Sequence, residues 1–185
     1  MFNTTISTSN LAQQYKSQSW VILDCRSDLL KPEWGYQNYL EGHIPGSFFA
    51  DLNRDLSASI TPQTGRHPLP RPEEFIEKLA HWGVEPGVQV VAVDTANGTF
   101  AARIWWMLRA LGHPQVAVLE GGYNLWLKEG RPIKQGTEQP AAVDIKYSPA
   151  YSNQPFNTST ETLNLLHHPD YKIIDARAPE RFRGE

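Results

Sequence analysis

A chain of 185 residues with 40% hydrophobic and 20% charged residues has a globular composition, with enough length for one complete core and part of another. The net charge of −3 gives no reason to expect nucleic acid or a membrane as a partner, and no apolar run approaches the roughly 20 residues that span a bilayer. The single cysteine, Cys25, excludes an internal disulfide and a zinc site built from several cysteines. The N-terminal residues lack the apolar segment of a secretory signal, so we expect a cytoplasmic protein.

Apolar strand-like runs alternate with helical patterns along the chain. In chain order the predicted elements are a short capped helix over 11–18, a strand over 20–24, a turn over 41–47, a short strand over 48–52, a Pro-rich surface loop over 59–72, a helix over 72–84, a strand over 88–93, a helix over 99–113, a strand over 115–122 and a helix over 123–130. Because the strands are continuously apolar, the pattern predicts an α/β fold with a parallel sheet and helices on both faces. Functional crevices of such sheets lie at the carboxyl ends of the strands, where Asp94 and Glu120 stand.

The segment VVAVDTANGTFAARIWW, residues 90–106, places a short polar loop between a strand and a helix. Backbone N–H groups converge at such a helix start and the helix dipole favours negative charge, so the loop suits an anion or an activated nucleophile. Its first residue is Asp94 rather than cysteine or serine. An aspartyl-phosphate nucleophile is disfavoured because Ala96 stands where a D-x-D motif has its second acid. The simpler interpretation is that Asp94 and Thr99 cap the loop and the helix.

Residues 134–156 have the composition of a linker, and the sequence after them repeats the beginning of the chain. TSTETLNLLHHPDYKIIDAR can be laid over STSNLAQQYKSQSWVILDCR, so that Asp175 and Arg177 fall on Asp24 and Arg26. One repeat at a spacing of about 150 residues indicates two similar domains in tandem rather than a solenoid. We therefore predict a complete domain over 1–133, an interdomain linker over 134–156 and the beginning of a second, similar domain over 157–185.

Four motifs in this order, VILDCRS, YLEGHIPGS, VVAVDTANGTFAARIWWMLRALGH and VAVLEGGYNLWLKEG, resemble a rhodanese domain over residues 10–133. The segment IIDARAPERFRGE, residues 173–185, resembles the opening of a second rhodanese domain. The tandem arrangement is similar to that of the thiosulfate and 3-mercaptopyruvate sulfurtransferases. In that family the N-terminal domain is a structural partner, and the C-terminal domain carries a cysteine on the corresponding strand-loop-helix turn.

This resemblance implies that the loop after the strand over 88–93 is an inactive copy of the catalytic loop. Its residues are Asp94, Thr95, Ala96, Asn97, Gly98 and Thr99. A carboxylate accepts the N–H bonds that lower the pKa of a thiolate, but it cannot form a persulfide. The resemblance therefore places the nucleophile in the protein's own C-terminal domain, beyond Glu185, and predicts that this chain alone is inactive.

The complete protein is accordingly expected to bind a small anionic sulfur donor. It is expected to move sulfane sulfur from thiosulfate or 3-mercaptopyruvate to cyanide or a thiol, with neither a metal nor another cofactor. The alternative is a non-catalytic rhodanese-like binding or regulatory module that uses the loop as a partner site.

Other polar and aromatic residues have structural and functional interpretations side by side. Arg103 is expected to pair with a carboxylate of its own domain, or to contact an anion at the domain interface. Trp34, in the variable loop KPEWGYQNY, is expected to face the active site of the partner domain. Cys25 is expected to be buried and inert. His43 is expected to stabilise its turn.

The pair Asp24 and Arg26 occurs again as Asp175 and Arg177. Repetition of Asp24 and Arg26 in an inactive copy indicates an ion pair that organises a turn.

The apolar strand YKIID, residues 171–175, lacks a sheet of its own. We predict that it packs on the first domain or on a second copy of the chain, which would make a homo-oligomer.

Overall fold

The computed structural model describes residues 1–95, 97–145, 147–152 and 156–185. Contacts divide the chain into two compact units, residues 1–154 and residues 155–185. No helix in these described ranges is long and apolar enough to cross a membrane.

The first unit is built around one parallel sheet. Its elements are β1 (Thr5–Ile6), α1 (Thr8–Gln14), β2 (Trp20–Asp24), α2 (Trp34–Glu41), β3 (Ser47–Phe49), α3 (Pro72–His81), β4 (Gln89–Val93), α4 (Ala101–Ala110), β5 (Val116–Leu119) and α5 (Gly122–Lys128). The strand order is β1-β5-β4-β2-β3, and every pairing is parallel. This confirms the predicted α/β fold.

The central strand β4 separates two hydrophobic cores. Val90 and Ala92 belong to the core that includes Met107 of α4, whereas Val91 and Val93 belong to the core that includes Trp126 of α5. Side chains of a strand alternate between the two faces of a sheet, so a strand that is apolar at every position must be covered on both. The helices α3 and α4 cover one face, and α1 and α5 cover the other.

Several local predictions differ from the structure in their bounds or type. The helix predicted over 11–18 is Thr8–Gln14, with Ser7 as its N-cap. The short strand predicted over 48–52 is Ser47–Phe49, and the predicted loop around Trp34 is the helix α2. Gly35 packs closely on the preceding segment, because a Cβ there would lie 2.0 Å from the carbonyl oxygen of Arg26. Glycine lowers intrinsic helix propensity, so the local sequence gives no signal for this helix.

Part of the predicted linker packs on the first unit. The Val143 N–H donates to the carbonyl of Ala80 at 3.0 Å, and the Tyr147 hydroxyl lies 2.7 Å from Nδ1 of His113. The ring of Tyr151 also joins the core on the α4 side. The domain boundaries remain a prediction, but much of the segment after α5 is attached to the domain that precedes it.

The second unit contains two short helices, α6 (Ser159–Leu165) and α7 (Pro179–Arg183). The strand predicted over residues 171–175 is wrong, because the structure has no regular element there. A strand needs neighbouring strands to pair its backbone N–H and C=O groups, and the second unit supplies none in its described residues. Ile174 is 86% exposed. Its packing partner remains a prediction.

Candidate functional site

The candidate site lies where β2 and β4 end side by side. Their register pairs Asp24 with Val93, and the Cys25 N–H extends the pairing by donating to the Val93 carbonyl at 2.7 Å. The residues that follow β2 and β4 therefore leave the sheet at the same edge. This brings Asp94 and the segment containing Cys25 and Arg26 together, as expected for the carboxyl ends of parallel strands.

Asp94 is buried and anchors the start of α4. Its Oδ1 accepts a hydrogen bond from the Gly98 N–H at 2.9 Å, and its Oδ2 accepts from the Phe100 and Ala101 N–H groups at 2.8 and 3.0 Å. These amides belong to the positive end of the helix. The geometry agrees with the interpretation of Asp94 as a cap.

The loop itself has a backbone that suits its sequence. Asn97 and Gly98 both have positive φ, at 55° and 85°. Asparagine and glycine tolerate this left-handed conformation better than other residues, and it turns successive N–H groups inward. The Thr95 carbonyl lies 3.5 Å from Nδ2 of Asn124, while Ala96 lies outside the described residues.

Gly122, the first residue of α5, packs against the site; it lies in the motif VAVLEGGYNLWLKEG but was not predicted as a site residue. Gly122 has φ of 57°, and a Cβ there would lie 2.1 Å from the carbonyl oxygen of Asp94. That same carbonyl accepts a hydrogen bond from the Tyr123 N–H at 2.9 Å. The GG pair after a strand was the available signal, because adjacent glycines indicate a special turn or a close approach.

A buried ion pair connects β2 to the turn at 41–47 and to α5. Arg26 Nη2 lies 2.7 Å from Asp24 Oδ2 and also donates to the Gly42 carbonyl at 2.7 Å. The guanidinium stacks over the Tyr123 ring, 4.0 Å from its centre. The predicted turn-organising role agrees with these contacts.

Cys25 has the environment of an inert thiol. It is 1% exposed, and its Sγ lies 3.5 Å from the Leu23 carbonyl. Burial raises the pKa of the thiol well above its ordinary value, and the charges of Asp24 and Asp94 raise it further. An activated thiolate requires the opposite environment.

Arg103 lies on α4, and no carboxylate among the described residues pairs with it, contrary to the expectation. Its Nε donates to the Leu56 carbonyl at 2.8 Å, and Nη2 donates to the carbonyls of His67 and Pro68, each at 3.1 Å. Burial lowers the pKa of the guanidinium. The Pro-rich segment leaves carbonyls without strand or helix partners, and Arg103 satisfies them. Its contact with an anion at a domain interface remains a prediction.

Trp34 is the first residue of α2 and is half-buried. Its carbonyl accepts a hydrogen bond from the Asn38 side chain at 2.9 Å, so this end of the helix is held locally. Its orientation toward the active site of a partner domain remains a prediction. Within the described ranges, no group of three or more histidine, cysteine or acidic side chains is arranged to hold a metal ion.

Comparisons with known proteins agree with this architecture. The rhodanese-like domain family matches residues 7–129. A probable 3-mercaptopyruvate sulfurtransferase of Pseudomonas aeruginosa is 40% identical over 183 residues, covering 97% of this chain and 63% of the relative. A putative thiosulfate sulfurtransferase of Mycobacterium tuberculosis is 34% identical over 166 residues, covering 89% of this chain and 57% of the relative.

Solved structures show the same likeness. The 3-mercaptopyruvate sulfurtransferase of Leishmania major has a TM-score of 0.84 at 27% identity, covering 98% of this chain and 48% of that one. A 3-mercaptopyruvate sulfotransferase of Escherichia coli has a TM-score of 0.83 at 30% identity, covering 96% of this chain and 67% of that one. The chain thus spans about half to two thirds of the length of these relatives. With the family match extending from α1 to the end of α5, the chain belongs to the rhodanese-like domain family, among relatives that are sulfurtransferases.

Proposed function

We propose that residues 1–133 are the catalytically silent N-terminal domain of a tandem-domain sulfurtransferase and that residues 157–185 begin its second domain. The complete protein would transfer sulfane sulfur from 3-mercaptopyruvate or thiosulfate to cyanide or a thiol. A cysteine of the C-terminal domain would carry the sulfur as a persulfide. The first domain supports that site and contributes no nucleophile.

The observation that carries this proposal is the carboxylate of Asp94 within the loop at the carboxyl edge of the sheet. Sulfur transfer begins when a thiolate attacks the outer sulfur of thiosulfate or the thiol sulfur of 3-mercaptopyruvate, and a new S–S bond forms at the enzyme. The S–S bond of thiosulfate breaks and sulfite leaves, or the C–S bond of 3-mercaptopyruvate breaks and the pyruvate enolate leaves and takes up a proton. A carboxylate forms no persulfide, and both oxygens of Asp94 already accept backbone N–H bonds. The loop therefore keeps its form without the group that does the chemistry.

Cys25 cannot replace the missing nucleophile in this arrangement. It is buried and its pKa is raised, chiefly by burial, so it lacks both access to a donor and a stabilised thiolate. The neighbouring carboxylates of Asp24 and Asp94 repel a second negative charge. A functional thiolate belongs beside N–H donors or cations instead.

The second part of the proposal is supported by the longer relatives and by the second unit. Arg177 bonds to Asp175 through its backbone N–H and its Nε, as Arg26 does to Asp24. The relatives named above as sulfurtransferases extend well beyond the length of this chain. A second rhodanese-like domain accounts for both features.

The test is a sulfurtransferase assay of the 185-residue chain beside its Cys25→Ser variant. Each protein is given thiosulfate or 3-mercaptopyruvate with cyanide as acceptor, and a full-length family member run in parallel sets the detection limit. We expect no turnover by either protein. Mass spectrometry after incubation with the donor should also find no added sulfur atom. Turnover that disappears in Cys25→Ser would show that Cys25 is the nucleophile and would refute the proposal.

A further inference from the structure

His43 is a fully buried histidine in the turn over residues 41–47, and only one of its ring nitrogens has a hydrogen-bond partner in the part of the chain that the structure describes. Its Nδ1 lies 2.9 Å from the carbonyl oxygen of Tyr39. A carbonyl oxygen only accepts, so Nδ1 must carry a hydrogen. The other nitrogen, Nε2, is also buried and has no hydrogen-bond partner among the described residues. Buried polar atoms of this kind are rare and call for an explanation.

The group that faces Nε2 is a carboxylate. Oε1 of Glu138 lies 3.6 Å from it, and the glutamate side chain is only 14% exposed. In neutral His43, with the hydrogen on Nδ1, a lone pair of Nε2 faces the acceptor oxygen. In protonated His43, Nε2–H is a cationic donor directed toward an anionic acceptor. Protonation therefore turns an unfavourable contact into an ion pair.

We propose that His43 and Glu138 form a proton-dependent clamp that fastens residues 134–138 to the turn over 41–47. Backbone bonds already align the two segments, because the His43 N–H donates to the Lys134 carbonyl and the Lys134 N–H to the His43 carbonyl, each at 2.9 Å. The Gly46 N–H donates to Glu138 Oε1 at 2.8 Å. The clamp adds a charged bond between the same two segments. This inference concerns the attachment of the segment after α5 and is independent of the proposed sulfur transfer.

The groups on the histidine's own side are a helix end, an aromatic ring and an ion pair. His43 follows the carboxyl end of α2, where the helix dipole favours a cation. The Tyr39 ring stacks on the imidazole at 4.1 Å, with 13° between the planes, and its hydroxyl donates to the Ser47 carbonyl. The nearby cation, Arg26, is paired with Asp24 and reaches the turn through the Gly42 carbonyl.

Groups on the opposite side keep Glu138 ionised. Lys134 Nζ lies 2.6 Å from Glu138 Oε2, which leaves Oε1 facing His43. Burial raises the pKa of Glu138, but bonds from Lys134 and the Gly46 N–H outweigh it, so the pKa lies below its ordinary value. The Tyr123 hydroxyl of α5 lies near Gly42, and the pKa of this tyrosine is raised by burial. The tyrosine is therefore neutral across the range in which an imidazole titrates.

The first experiment measures urea unfolding of the full chain and of Glu138→Gln between about pH 8 and about pH 5.5, the range that brackets imidazole titration. The glutamine keeps an oxygen for the Gly46 N–H but lacks the charge. We expect the factor by which this substitution lowers the folding equilibrium constant to grow about tenfold toward the acidic end, the scale of one charged hydrogen bond. Glu129→Gln is the matched control, because Glu129 is bonded to Thr8 and Arg131, neither of which titrates in this range. Its effect on the folding equilibrium constant should not change with pH.

The second experiment reads the clamp directly in the wild-type chain, so it does not depend on a buried variant folding. Long-range 1H–15N spectra report whether His43 Nε2 carries a proton, and His113, whose partners are a hydroxyl and a carbonyl, serves as the reference. We expect protonated Nε2 at the acidic end and slower hydrogen exchange of the His43 and Lys134 amides after correction for intrinsic rates. An Nε2 without a proton at the acidic end, or an effect of Glu138→Gln that does not change with pH, would overturn the clamp.

Discussion

Replacing Asp94 by alanine removes the acceptor on which the start of α4 depends. The substitution leaves the N–H groups of Gly98, Phe100 and Ala101 without this carboxylate. Ala101 is fully buried, whereas Gly98 and Phe100 are half-buried and can reach water. One buried N–H donor left unsatisfied costs about 1–3 kcal/mol, and losing the hydrogen bond of each of the two solvent-accessible donors costs about 1 kcal/mol. We therefore expect the free energy of unfolding to fall by about 3–5 kcal/mol.

The assay is thermal and urea unfolding of the wild type and Asp94→Ala, with a loss of roughly 10 °C in Tm for a chain of this size. Asp51→Ala is the matched control, because Asp51 is also buried and accepts the N–H groups of Asn53 and Arg54 in the loop that follows β3. Asp94→Gly deletes a fragment the size of acetate, so added acetate should stabilise that variant and have no such effect on Asp51→Ala or the wild type. A loss below about 1 kcal/mol in Asp94→Ala would refute the reasoning, because so small a cost means that the carboxylate does not hold the loop.

Three further predictions concern residues at or near the site. Gly122→Ala forces a Cβ to within 2.1 Å of the Asp94 carbonyl at φ of 57°, so urea unfolding should show that the free energy of unfolding falls by about 2–5 kcal/mol. The control Gly136→Ala, at φ of 83° in open space, should lower it by only about 1–2 kcal/mol. Arg26→Met leaves a buried carboxylate unpaired and should cost about 3–5 kcal/mol, part of which should return when the partner aspartate is also made neutral. Burial raises the pKa of Tyr39 to about 12, so the unfolded chain loses this proton first and stability should fall as pH rises from about 10 to 12. Spectrophotometric titration against Tyr39→Phe checks this shift, and ionisation near the ordinary value would contradict it.

The sequence predicts the sheet well because the uninterrupted apolar residues of β4 require burial on both faces. Val90 to Val93 are apolar without interruption, and the structure buries all of them. By contrast, α2 contains Gly35, whose value lies in its approach to the Arg26 carbonyl across the fold. A local pattern carries no information about such a contact, so the sequence predicted a loop there.

Some residues of the candidate site can be identified from the local sequence, and others only from contacts between distant segments. Asp94 is identifiable because it follows an apolar strand and precedes an amphipathic helix, which is information from neighbouring residues. The contact of Gly122 with the Asp94 carbonyl depends on the neighbouring positions of β4 and β5 in the sheet. The approach of Glu138 to His43 joins distant segments in the same manner. At these two contacts the prediction failed because the partner lies far away along the chain.

The repeated D-x-R motif separates local from distant causes within one molecule. In the first unit the Asp24–Arg26 pair is buried and β2 precedes it; in the second unit Asp175 and Arg177 make the same bonds on an exposed surface, with no strand before them. Hydrogen bonds from Arg177 lower the pKa of Asp175 to about 2, although Asp175 is not buried. The turn is therefore encoded by three successive residues, whereas the strand before it requires a sheet.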